Sequence, residues 1–180
     1  MSGHNKWSKI KHKKAATDAA KSKVFSKHAS LIALESRKAG GDVNSPGLAA
    51  AIDRAKKDSM PKDNIERAVQ KGSGSEGGSL EEVTFEAYGP GGTAMIITAV
   101  TDNNNRTAPE VRHTLSRNGF ELGTPGSAAW AFTKTAEGYT PNSPVDLSDE
   151  DGEKLATLIE ALEELDDVQD VYTTADSPEE

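Results

Sequence analysis

The sequence has 180 residues, enough for one ordinary domain or two small ones, and at 34% hydrophobic and 5% aromatic content it holds modest apolar surface to offset chain entropy. It has no cysteine, which excludes disulfides, thiolate catalysis and cysteine-ligated zinc or iron–sulfur centres. The net charge of -8 conceals two opposite segments: residues 1–72 carry 16 Lys and Arg against 7 Asp and Glu, a net +9, whereas residues 73–180 carry 5 against 22, a net -17.

That asymmetry points to nucleic acid or a membrane as the partner of the basic segment. No apolar signal core follows Met1, and no run approaches the roughly 20 apolar residues of a membrane span, so a soluble cytoplasmic protein without a membrane partner is expected. The sequon at Asn105-Arg106-Thr107 is then an accidental match.

Residues 1–14, MSGHNKWSKIKHKK, hold five lysines and too few apolar residues to pack, and read as a basic arm. Over residues 15–38 the pairs Val24 and Leu31, and Phe25 and Ile32, recur seven apart and Leu34 extends the stripe, predicting a helix that Gly40-Gly41 ends. Asn44-Ser45-Pro46 is a start signal for a second helix, and a break at Ser59-Met60-Pro61 precedes a third over residues 62–71, closed by Gly72. Residues 15–72 therefore predict a helical, nucleic-acid-binding domain of three helices, and residues 73–79 a Gly/Ser linker. Gly72, Gly74 and Gly77 satisfy G-x-G-x-x-G, but here the motif follows a helix and precedes a strand, the reverse of a dinucleotide site.

Beyond the linker, residues 83–88 and 93–100 are strand-like and flank the turn Gly89-Pro90-Gly91-Gly92, a hairpin signal. A helix is expected over about residues 107–118, strands over 127–135 and near 137–140, an amphipathic helix over 149–165 and a closing strand from Val168. The predicted class is α+β: a three-helix N-terminal domain, then an antiparallel-sheet sandwich over residues 80–175, with residues 176–180 fraying.

Lys6, Lys9, Lys11, Lys13, Lys14, Lys21, Lys23 and Lys27, interleaved with Trp7 and His12, form a cationic series that would release counterions from a phosphate backbone, with Trp7 able to stack on an unpaired base. Helices two and three are a helix-turn-helix candidate, in which Lys62, Asn64, Arg67, Gln70 and Lys71 offer donors. In the acidic segment Arg106, Arg112 and Arg117 share one loop and helix beside Thr101-Asp-Asn-Asn-Asn105, either an anion site or a capped turn with surface arginines. Asp166, Asp167 and Asp170 lack metal-ligand spacing. The four histidines assemble no catalytic set, and no nucleophile-elbow, zincin or P-loop motif occurs. No enzyme activity, cofactor, metal or small-molecule substrate is expected.

Several of these stretches resemble the YebC/PmpR family of probable transcriptional regulators, a mitochondrial branch of which activates translation of cytochrome oxidase. The resemblance rests on residues 3–27, on YGPGG at 88–92, TDNNNRT at 101–107, EVRH at 110–113 and LDDVQDVY at 165–172. Family members usually carry a further α/β domain inserted in the second one. Here Trp130-Ala-Phe-Thr-Lys-Thr135 passes almost directly to Ala136-Glu-Gly-Tyr-Thr-Pro141, so a short form without that insert is expected. The resemblance implies a DNA-binding transcriptional regulator, or alternatively a translational activator acting on ribosomal or messenger RNA at the ribosome. A third reading is an adaptor that docks proteins on the acidic domain.

Overall fold

In a computed structural model the described residues are 18–75, 78–136 and 138–176. The arm residues Lys6, Trp7, Lys9, Lys11, His12, Lys13 and Lys14 lie outside them. The fold is α+β, and the chain divides into two compact units. One comprises residues 18–83 together with Val100–Asn104; the other comprises Thr84–Ala99 and residues 105–176.

The first unit contains α1 (Asp18–Ala39), α2 (Pro46–Lys57) and α3 (Lys62–Ser73). Asp18 in the first turn of α1 and Arg37 and Lys38 in its last turn complement the helix dipole. Helix α1 is the common support: α2 and α3 each pack on it extensively and touch one another little. Ile32, Leu48, Ala51, Ala55, Met60, Ile65 and Ala68 form the core. The expectation that Gly72 closes the third helix is corrected here, because α3 runs to Ser73 and Gly72 is buried within it. A Cβ at Gly72 would run into the backbone of Ala33. One turn earlier in α3, the Val69 carbonyl accepts a 2.6 Å bond from the buried Ser36 hydroxyl. Helices α1 and α3 therefore meet backbone to backbone, at a separation only glycine permits.

The sheet consists of β1 (Glu81–Tyr88), β2 (Ala94–Thr101) and β5 (Val168–Thr173), in spatial order β1-β2-β5 with β2 and β5 antiparallel, and the second unit is built on it from Thr84 of β1 and as far as Ala99 of β2. The β1–β2 turn passes through Gly91 at φ 68° and Gly92 at φ 77°, left-handed values that suit glycine. All eight residues of β2 are buried. Met95 and Ile97 face α4 (Asn104–Arg117) and α5 (Asp149–Glu163) through Val111, Leu115, Leu155, Leu158 and Leu162. Ala94 and Ile96 face the opposite way, onto Ala128, Ala131 and Phe132, with Tyr139 and Tyr172 packed alongside. The second face is closed by the two-stranded antiparallel sheet of β3 (Phe132–Thr135) and β4 (Gly138–Pro141).

Two expected elements differ. Helix α4 starts at Asn104, three residues earlier than the pattern implied, after a polar turn in which the Asn103 amide donates to the Thr101 hydroxyl at 2.9 Å. The strand expected over residues 127–135 is a strand only from Phe132; Ala129–Ala131 is a 3-10 turn. The cause is Glu86. Its buried carboxylate accepts from the backbone amides of Gly126 (2.6 Å), Ala128 (3.0 Å) and Ala129 (2.6 Å), drawing that segment into a nest rather than a ladder. Burial alone would push the Glu86 carboxyl up, but the three amides hold it below its ordinary value.

Candidate nucleic-acid interface

Lys21, Lys23 and Lys27 all lie on α1, with Lys21 exposed and Lys23 and Lys27, one helical turn apart, half-buried. On α3 the buried positions Ile65, Ala68 and Gly72 turn the opposite face to solvent, where Lys62, Arg67, Gln70 and Lys71 are exposed. Amphipathic spacing thus gathers these donors on one face. They are not all available to a ligand. The Arg67 guanidinium donates to the Asn64 side-chain oxygen at 2.6 Å and to the Asp63 carbonyl at 3.4 Å, and Lys62 sits 3.7 Å from Glu66. Asn64 is half-buried and its acceptor is engaged, which reduces what α3 offers to a base edge.

The turn before α3 is well defined. The Met60 amide donates to the Ala55 carbonyl at 3.0 Å, its side chain is buried, and Ser59 takes φ 64°. His28 of α1 reaches Asp58 at 2.6 Å and ties α1 to this corner. Since α2 and α3 both rest on α1 rather than on each other, the first helix carries the geometry of the pair.

In the second unit Arg106, Arg112 and Arg117 are exposed on α4. Arg106 is paired: its guanidinium donates to both oxygens of Asp167 at 3.1 and 3.3 Å, and the Thr107 hydroxyl donates to the same carboxylate at 2.7 Å. Asp167, in the α5–β5 connection, is therefore the anchor of the α4 N-terminus. Sequence reasoning singled out the Asp166, Asp167 and Asp170 cluster and the Asn-rich loop separately. Nothing in either segment signalled that they meet. Among the described residues no group of His, Asp and Glu is arranged to hold a metal ion, and no helix is long and apolar enough to cross a membrane.

The second feature missed by the sequence is the Glu86 nest and what it supports. The Trp130 indole nitrogen donates to the Tyr88 hydroxyl and to the Ser127 carbonyl, both at 2.9 Å, and the Tyr88 hydroxyl donates to the same carbonyl at 2.7 Å. A glutamate on the nominally outward face of a strand is the available signal, but it becomes meaningful only once a second layer covers that face.

Comparison with known proteins bears on both units. Residues 5–75 match the TACO1/YebC protein N-terminal domain, and residues 80–138 and 135–175 match the TACO1/YebC second and third domain in two segments. A protein of Akkermansia muciniphila named "Probable transcriptional regulatory protein" is 51% identical over 84% of this chain, which spans 64% of that relative's length. A protein of the same name from Fervidobacterium nodosum is 37% identical over 237 aligned positions, covering 98% of this chain and 94% of the relative. With 180 residues here, those 237 positions include residues the relative has and this chain lacks. The two family segments meet at residues 135–138, the β3–β4 turn. The crystal structure of a conserved hypothetical protein from Aquifex aeolicus superposes with a TM-score of 0.81 at 33% identity, covering 95% of this chain and 96% of that one.

Proposed function

The chain belongs to the TACO1/YebC family, and we propose on that premise that it is a non-enzymatic, cytoplasmic regulator of gene expression that binds nucleic acid, with promoter DNA as its primary target. The observation that carries this reading is the separation of charge, +9 over residues 1–72 against -17 over the remainder. Lys21, Lys23 and Lys27 on α1 and Lys62, Arg67 and Lys71 on α3 supply the phosphate contacts, joined by Lys6, Lys9, Lys11, Lys13 and Lys14, with Trp7 and His12, from the arm. Arg112 and Arg117 on α4 extend the set, while Arg106 acts mainly through Asp167. The relatives named as transcriptional regulators support DNA as the polymer.

A second reading has its own support. With Arg67 folded onto Asn64, α3 presents phosphate-binding cations more readily than base-reading groups, and such a surface suits folded RNA as well as duplex DNA. Competition separates the two. If DNA is the target, a promoter duplex displaces bound protein from random duplex and the protein stays off ribosomes in sedimentation. Co-sedimentation with ribosomes that excess duplex cannot reverse would replace the DNA reading with the RNA one.

A further inference from the structure

Trp130 is the most exposed of the large apolar side chains among the described residues, at 70%, and Tyr88 beside it is 40% exposed. An exposed tryptophan normally keeps its indole N–H for water. Here that N–H is satisfied within the protein, on the Tyr88 hydroxyl and the Ser127 carbonyl. The backbone beneath is fixed as well. Glu86 holds the amides of Gly126, Ala128 and Ala129, the Asn142 side chain donates to the Trp130 carbonyl at 3.2 Å, and the Asn142 amide donates to the Ala131 carbonyl at 2.8 Å. The indole is thus immobilised with its polar edge turned inward, so what it offers a ligand is π surface, ordered before binding.

The charge around it selects the ligand. An antiparallel bridge pairs Ala87 with Leu122, which sets Tyr88 opposite Glu121 in register and on the same side. Glu121 is exposed, and its side chain has no hydrogen-bond or ion-pair partner among the described residues. In sequence the cation nearest Trp130 is Lys134, which lies over the Tyr139 ring at 5.9 Å, and the one nearest Glu121 is the exposed Arg117 at the end of α4. Residues 73–180 as a whole are at -17. A phosphate backbone is repelled from such a surface, whereas a cationic side chain is attracted to the carboxylate and to an aromatic face together.

We propose that Trp130, Tyr88 and Glu121 form a docking site for a lysine or arginine side chain presented by a partner protein. The site borders the β3–β4 hairpin, where the two matched segments of the family meet. It shares no residue with the cationic set assigned to nucleic acid.

The sequence contains two tryptophans, so Trp7→Phe in the full chain leaves Trp130 as the only indole emitter. The probe is a short arginine–glycine peptide, with its uncharged citrulline counterpart and a single-stranded oligouridylate as comparisons. The expected result is a saturable change in Trp130 emission with the arginine peptide and none with citrulline. Measured by calorimetry, the arginine peptide binds about tenfold more weakly to Trp130→Ala and severalfold more weakly to Glu121→Gln, while Trp130→Phe recovers part of the loss. Both altered side chains are exposed, and unchanged far-UV dichroism verifies that the variants are folded. Equal affinity for parent, Trp130→Ala and Glu121→Gln, equal binding of the citrulline peptide, or a stronger Trp130 response to oligouridylate would each overturn the proposal.

Discussion

Glu86 is where a single side chain decides the most local structure. Three amides converge on it, and the buried Ala128 donor would be left unsatisfied without the carboxylate, at about 1–3 kcal/mol, whereas those of Gly126 and Ala129 are part-buried. Glu86→Gln keeps one acceptor oxygen but puts an NH2 group against at least one of those donors, and is expected to lower stability at neutral pH by about 1–2 kcal/mol, read from the denaturant midpoint. The pH dependence has a definite sign. Because the folded carboxyl titrates below its ordinary value of 4.5, its contribution is complete above that value and is lost as pH falls through the lower folded one. The gap between parent and Glu86→Gln should therefore narrow below pH 4.5 and stay constant above it. A gap that widens in acid would mean the amides do not stabilise the ionised form.

At the scale of elements, the two helical contacts that set the geometry are both close approaches. Gly72→Ala forces a methyl into the Ala33 backbone, and since overpacking costs about 1–3 kcal/mol, thermal unfolding should begin several degrees lower. If Gly72→Ala instead raises the melting temperature, as expected of an unhindered helical glycine, the α1–α3 contact is looser than described. The Asp167 anchor makes a second case. Asp167→Ala removes three acceptor contacts from Arg106 and Thr107, whereas Arg106→Ala removes a half-exposed ion pair worth at most about 1 kcal/mol. Asp167→Ala should be the more destabilising, and a double-mutant cycle should show coupling between Asp167 and Thr107.

The elements differ in how plainly the sequence announced them, and the reason is local versus non-local causation. Helices α1, α2, α3 and α5 and strands β1, β2, β4 and β5 follow from periodicity, proline and glycine, which act within a few residues. The false strand over residues 127–131 follows from Glu86, some forty positions earlier, and no local pattern encodes it. Gly72 was misread for a related reason. A glycine near the end of a helix resembles a stop signal, and only the presence of Ala33 across the interface gives it a packing role. Of the candidate site, the cations were legible because charge is a property of composition. The Arg106 pairing and the Trp130 platform were not, because each depends on residues brought together by the fold.

For the whole molecule, the consequence of opposite charges is that nucleic acid should engage chiefly the basic segment, with Arg112 and Arg117 the contacts assigned in the acidic one. Affinity then falls with salt in proportion to the number of phosphates neutralised, about 0.9 in log–log slope per contact on duplex DNA. The most direct test is the salt dependence of binding of the full chain to duplex DNA and to structured RNA, compared with a variant in which Lys21, Lys23 and Lys27 are replaced by glutamine. The account predicts measurable affinity at low salt for at least one polymer, a steep negative slope, and a slope shallower by about two to three units on the polymer bound when the three lysines are neutralised. Binding undetectable at low salt on both polymers, or a slope that the three substitutions leave unchanged, would contradict it.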